Sequence, residues 1–249
     1  LDKPVIVQFG YYMKNLLHGD FGVSLKTGRD IRQTINESFV VSARIGAWAM
    51  LIAIIVGIVL GSIAALMRNK WPDRVIVFFA TLATAMPSFV LASLLLLLFC
   101  IKLKWIPVWN STNHNYILPV LSLSLYPMAY ITRLTKTSML DVLGQDYIRT
   151  ARAKGVAAWK VIFKHGLRNA LIPVITYVGP MTASILTGSL VIEKIFTIGG
   201  LGSKFVDCIT NRDYTMIMGT TIFLATLMVV MNLLSDLVYK LVDPRIKLE

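Results

Sequence analysis

Apolar residues in this chain gather into long blocks separated by short charged connections. Five blocks, 45–67, 75–101, 116–132, 170–192 and 214–235, have the apolarity of a membrane crossing. Crossing the hydrocarbon takes about 20 predominantly apolar residues in helical form. None of the five contains Asp, Glu, Lys, Arg or His. The third is short and holds Pro119 and Pro127, which a membrane helix tolerates when neighbours satisfy the freed backbone groups. Before the first block, residues 31–44 read as a short interfacial helix. Asp30 caps it, and Ile31, Ile35 and Phe39 share one face, with Arg32 and Glu37 off it. The pattern predicts an all-α, polytopic membrane protein with five spans in one domain over 1–249.

Composition agrees. Of 249 residues, 56% are hydrophobic and only 15% are charged. An ordinary soluble domain is about 45–50% apolar and about 25% charged. Disorder is excluded for the same reason, and 16 Gly and 9 Pro without a fixed repeat exclude collagen-like chains. Two cysteines, Cys100 and Cys208, are too few for a disulfide scaffold and read as unpaired thiols.

The net charge of +12 would suit nucleic acid, but its distribution points to membrane orientation. Lys and Arg are densest at 68–74, 133–169 and the C-terminal tail. These are placed in the cytoplasm, so 1–44, 102–115 and 193–213 face outside. The start of the chain is then outside and its C-terminus inside. Five crossings from an outside start imply a sixth helix ahead of residue 1.

The uncharged spans argue against proton relays and ion-coupled carriers, which keep ionisable groups at membrane depth. No H-E-x-x-H or G-x-S-x-G pattern is present, so no catalytic residue or metal ligand is proposed. The Gly-rich stretches 19–28 and 198–204 lack the spacing of a phosphate loop. Hydroxyls do recur in the fourth span, at Thr176, Thr182, Ser184 and Thr187. Both helix packing and the lining of a path for a polar solute account for them. Gly57 and Gly61 form a GxxxG that reads as packing.

The connection 133–169 is long for a helical bundle. Asp146 caps a helix that runs to Lys154 and stops at Gly155, with Tyr147, Ile148 and Ala151 on one face and Arg149 and Arg152 off it. A second helix carries Trp159, Ile162, Phe163, Gly166 and Leu167 on one stripe and Lys160, Lys164 and Arg168 opposite. On the residues alone, resting on anionic lipid and docking a cytoplasmic protein both stay open.

YIRTARAKG at 147–155, followed by HGLRNALIP at 165–173, resembles the cytoplasmic EAA loop of ABC import permeases. The form is that of the peptide/nickel branch, and most of all the first permease subunit of oligopeptide importers. Arg149 and Thr150 depart from the general Glu-Ala-Ala pattern, but Arg-Thr-Ala with Ala151 is the peptide-branch form. GDFGVSLKTGR (19–29), ATAMPSFVLA (83–92) and VIEKIFTIGGLGSKFVDCITNRDYTMI (191–217) resemble the family in the same order.

The resemblance implies the type I ABC importer transmembrane fold in a bacterial cytoplasmic membrane. It implies a second homologous permease, two cytoplasmic ATPases that use ATP and Mg, an extracytoplasmic peptide-binding protein, and no cofactor on this chain. Tyr147, Arg149, Thr150, Ala151, Arg152, Lys154 and Gly155 would then form the coupling helix seated on an ATPase. Glu193, Phe196, Gly200, Gly202 and Asp213 would form the outer gate or receptor-docking surface. Oligopeptides, dipeptides and nickel chelates remain open as cargo.

Overall fold

The computed structural model describes residues 4–110, 113–186 and 189–242. All its regular elements are helices: α1 Val5–Leu17, α2 Ile31–Leu66, α3 Trp71–Ala85, α4 Ser88–Lys102, α5 Ile117–Leu143 and α6 Asp146–Ala153. They continue with α7 Ala158–Ala170, α8 Ile172–Leu186, α9 Leu190–Ile195, α10 Leu201–Thr210 and α11 Tyr214–Val242. Three of them, α2, α5 and α11, are each long and apolar enough to cross a membrane. Two bent pairs, α3 with α4 and α7 with α8, bring the number of crossings to five if each counts as one.

α2 is the axis of the bundle. Ile31 and Ile35 pack with Leu201 and Met216, and Ile45 and Ala49 pack with Leu118, Ile192 and Phe196. Further along, Ala53 meets Ile131 and Val174, and Ala65 meets Met139 and Ala170. The opposite face shows Leu51, Ile55, Val59 and Ile63 at four-residue spacing, all exposed, as suits contact with lipid. α2 and α5 are held close by the GxxxG. A Cβ on Gly57 would lie 2.8 Å from Ile131 Cγ2, and one on Gly61 would lie 2.5 Å from the Thr132 carbonyl. The packing reading of that motif holds.

The boundaries differ from the hydropathy blocks in four places. Residues 31–44 are not a separate interfacial helix, because α2 runs unbroken from Ile31 to Leu66. The face read from the sequence is right nonetheless, and Asp30 caps it by accepting the Gln33 N–H at 2.9 Å. Nothing at 44–45 stops a helix, since Ser42, Ala43, Arg44 and Ile45 all continue one. The second block bends by 107° between α3 and α4, where Pro87 has no N–H to continue the ladder. The third block extends through Thr132 to Leu143, so the long connection starts as the polar end of α5. The fourth block divides into α8 and the short α9, which starts at the cap Ser189. α1 was not legible as a helix in the amphipathic run after Pro4.

An acid inside a basic run was a missed signal. Asp73, in the first turn of α3, is buried, and its Oδ1 lies 2.5 Å from Lys136 Nζ of α5. Its Oδ2 accepts the Asn69 N–H at 3.0 Å, and Asn69 holds φ +65° in the α2–α3 turn. This ion pair fixes the turn between two central helices to a third.

Candidate functional site

The residues singled out by sequence fall into two structured sites and one dispersed set. The first site is the tip formed by α6. Gln145, not Asp146, occupies its N-cap, and Asp146 is the first helical residue. The acid therefore sits in the first turn, where it still faces the positive end of the helix. α6 is anchored by one fully buried side chain, Ile148, and by Asn169 Nδ2 donating to Tyr147 Oη at 3.0 Å. Arg149, Thr150, Arg152, Lys154 and Gly155 are exposed around that anchor, while Ala151 is partly covered. The Arg149–Asp146 ion pair spans 3.6 Å between exposed side chains and is worth little. Gly155 ends the helix at φ +73° with open space where a Cβ would go. Its N–H bonds to the Arg152 carbonyl, and the Val156 N–H bonds to the Ala151 carbonyl. This is the left-handed stop expected of a Gly after a helix.

The stripe read into α7 is not one buried face. Val161 and Gly166 are buried, whereas Trp159 and Phe163 are exposed. The cause is a π-helical stretch over Val161–Leu167, which widens the turn and rotates Trp159 and Phe163 away from Gly166. The tip therefore presents both cations and two aromatic rings.

The second site is built from the connection that follows α8. Glu193 is only 3% exposed, and each of its carboxylate oxygens is engaged. Ser42 Oγ of α2 donates to Oε1 at 2.7 Å, and the Ser203 N–H donates to Oε2 at 2.9 Å. Ser42 Oγ also accepts the Leu201 N–H at 2.8 Å. The 198–203 turn is thus tied to α2 through one carboxylate and one hydroxyl. Burial pushes the Glu193 carboxyl above its ordinary range, despite the hydrogen bonds from Ser42, Ser203 and Gly202. A Cβ on Gly200 would lie 2.5 Å from Glu193 Oε2 and 2.6 Å from Ser42 Oγ. Gly200 has φ −81°, so close approach, and not a left-handed conformation, is what requires Gly. Gly202 faces the Leu190 backbone at 3.0 Å, and Phe196 is buried beside Ile45 and Leu118.

Asp213 makes a parallel arrangement at the start of α11. It accepts from Ser24 Oγ at 2.5 Å, Thr215 Oγ1 at 3.1 Å and the Met216 N–H at 3.3 Å. Burial pushes its carboxyl up, but the bonds from Ser24, Met216, Thr215 and Leu25 outweigh it, and the group stays below its ordinary range. Ser24 lies in the 19–28 turn, where Gly19, Gly22 and Gly28 all have positive φ. Two of the family-like segments, 19–29 and 191–217, therefore meet at one carboxylate. The partners Ser42 and Ser24 were missed, because nothing in a lone serine marks a contact across more than 150 positions. Cys208 lies beneath, unpaired like Cys100, and burial with nearby Asp213 and Asp207 pushes its thiol up to about 11.

The α8 hydroxyls do not form one stripe. Thr176 is exposed, with its hydroxyl on the Ile172 carbonyl. Thr182 donates to the Val178 carbonyl and faces an apolar cavity of about 340 Å³ beside α11. Ser184 lines a different cleft, at the α3–α4 bend. Residues two apart on an α-helix point about 200° apart, which separates Thr182 from Ser184. Thr187 lies outside the described residues.

The comparisons with known proteins fit this architecture. Residues 57–248 match the family described as binding-protein-dependent transport system inner membrane component. The chain belongs to that family. It is 50% identical over 251 residues to the dipeptide transport system permease protein of Bacillus subtilis, covering 100% of this chain and 81% of that one. It is 41% identical to the oligopeptide transport system permease protein of Haemophilus influenzae, over 99% of this chain and 82% of that one. The glutathione transport system permease protein of Salmonella choleraesuis is 39% identical over 99% of this chain and 81% of its own. In fold, the chain superposes on the inward-facing methionine ABC transporter MetNI with a TM-score of 0.71 at 14% identity, over 85% of this chain and 97% of that chain. An amino acid ABC transporter gives a TM-score of 0.66 at 12% identity, over 84% and 94%. The permease of the family is thus an all-helical membrane protein with the ABC importer transmembrane fold.

Proposed function

We propose that this chain is one of two permease subunits of an ATP-driven, receptor-dependent importer of short peptides in a bacterial cytoplasmic membrane. The observation that carries this reading is identity of 50% and 41% along essentially the whole chain with a dipeptide and an oligopeptide permease. A second homologous permease completes the path, two cytoplasmic ATPases use ATP and Mg, and an extracytoplasmic peptide-binding protein delivers cargo. This chain supplies no catalytic group. The basic connections 68–74 and 133–169 lie inside beside anionic lipid, and 193–213 lies outside.

In this reading α6 is the coupling helix. It has one buried anchor and an exposed basic rim, so it suits insertion into a groove of another subunit. Closure of the ATPases on ATP would carry α6 with them, and α7 and α8 would pass the motion to the bundle. The Glu193 and Asp213 clusters tie the outer turns to α2 and to 19–28, so the outer gate moves with the central helices.

Reconstitution tests the reading. Proteoliposomes holding both permeases, the ATPases and the receptor should accumulate radiolabelled trialanine on ATP hydrolysis, and this chain alone should not. Uptake by this chain alone would make it a self-sufficient carrier or channel instead.

A further inference from the structure

The family-like segment 83–92 is used by neither site described above. It forms the break between α3 and α4, and a partly polar cleft with a volume of about 530 Å³ opens there. That is within the range of about 300–1,000 Å³ usual for small-ligand sites. Tyr126, on its wall, is nine residues into α5, or about 14 Å along the helix axis, close to the middle of a crossing.

Several elements bring hydroxyls to this cleft: Thr84 from α3, Ser88 from the start of α4, Tyr126 from α5, Ser184 from α8, and Ser189 from the cap of α9. Among the described residues that line it, none is charged. Thr84 donates to the Ala80 and Thr81 carbonyls, which leaves its oxygen as an acceptor. Ser189 Oγ accepts the Ile192 N–H at 3.4 Å, which leaves its proton to donate.

The backbone adds to this set. Pro127, inside α5, has no N–H for the Leu123 carbonyl. Leu123 and Pro127 both line the cleft. Exposed backbone polar groups at membrane depth persist only where they line a polar cavity. Donors and acceptors are therefore mixed and neutral along this lining.

We propose that this cleft is a binding site for the main chain of a peptide in transit, half-formed by this permease and closed by its partner. A peptide bond offers one N–H and one C=O per residue, which matches a mixed, uncharged lining. A reader of particular side chains would need charge or a closed apolar pocket. The cleft would thus pass peptides of many sequences, with selection left to the receptor. The inference rests on the peptide-importer reading.

The test uses the assembled importer in proteoliposomes with radiolabelled trialanine. Failure of the unaltered complex to import would strike the importer reading itself, so the variants are judged against an active complex. Ser184→Leu should cut uptake about tenfold or more by filling a site sized for small ligands, while receptor-stimulated ATP hydrolysis persists. Unchanged uptake would overturn the proposal. If Ser184→Leu does not assemble, Tyr126→Phe decides, because it removes one hydroxyl and no volume. It should raise the KM for uptake about three- to tenfold, the effect of one lost hydrogen bond. A KM at the unaltered value would overturn the site.

Discussion

The two ends of this permease use glycine and charge in opposite ways. At the turn after α9, Gly200 has an ordinary φ, and a Cβ there would strike Glu193 and Ser42. At the α6 tip, Gly155 has φ +73° and nothing within 4 Å of a Cβ position. Glu193 is buried and fully bonded, whereas Arg149 and Arg152 are exposed, and Arg149 makes only a weak ion pair with Asp146. One end is an internal clasp whose residues satisfy each other. The other is a helix anchored by Ile148 whose charged residues are exposed. Both sets resemble family motifs, but only the first is explained by contacts within the chain.

Glu193→Ala should have the largest effect on stability. It leaves the Ser203 N–H and Ser42 without their buried acceptor, at about 1–3 kcal/mol for each orphaned group. The thermal midpoint of the purified complex should fall, and protease cleavage in 198–204 should speed up. An unchanged midpoint would mean that the clasp is not holding the turn. Gly200→Ala should follow, at about 1–3 kcal/mol for forced overpacking. Glycine-to-alanine at 155 should cost about 1–2 kcal/mol through the left-handed backbone alone. A second change at Glu193 should relieve the loss at 200 and leave that at 155 untouched, which midpoints of the double variants would measure.

The Glu193 and Asp213 carboxylates should respond to pH with opposite sign. Glu193 is raised, so the folded chain holds its proton more tightly than the unfolded chain. Its contribution is greatest below the ordinary glutamate value and wanes as pH rises through the raised one. Asp213 is lowered, so its contribution is present above the ordinary aspartate value and lost as pH falls through the depressed one. Glu193→Gln should flatten the fall of the midpoint as pH rises above the ordinary glutamate value, and Asp213→Asn the fall as pH drops below the ordinary aspartate value. Matching changes in one of these falls would contradict the assignments.

The smallest effect on stability should come from Arg149→Glu with Arg152→Glu, within about 0.5 kcal/mol for exposed positions. Its effect on function should nonetheless be large. The ATPases should co-purify poorly, and receptor-stimulated hydrolysis should fall, while the permease pair still inserts. Retention of the ATPases, with new sensitivity to anionic lipid content, would make α6 a lipid contact.

Much of this is legible in the sequence. Blocks of uncharged apolar residues dictate a helical membrane bundle, because hydrocarbon offers the backbone no other partner. Asp30 as a cap, Gly155 as a stop, and the Gly57–Gly61 contact rest on local rules or fixed spacing. Helix bounds were less legible, since hydropathy marks where a chain is apolar and not where its helix ends. α2 and α5 both run well past their apolar blocks.

What only the tertiary structure decided is which distant groups meet. Asp73 with Lys136, Glu193 with Ser42 and Asp213 with Ser24 each pair residues whose separation carries no periodic signal. The cleft at 86–88 likewise depends on the direction of a 107° bend, on Pro127 in another helix, and on which face of α8 turns inward. A sequence sets the rules that each residue obeys locally. The packing of one helix against another settles which of its polar atoms are left to face a common space.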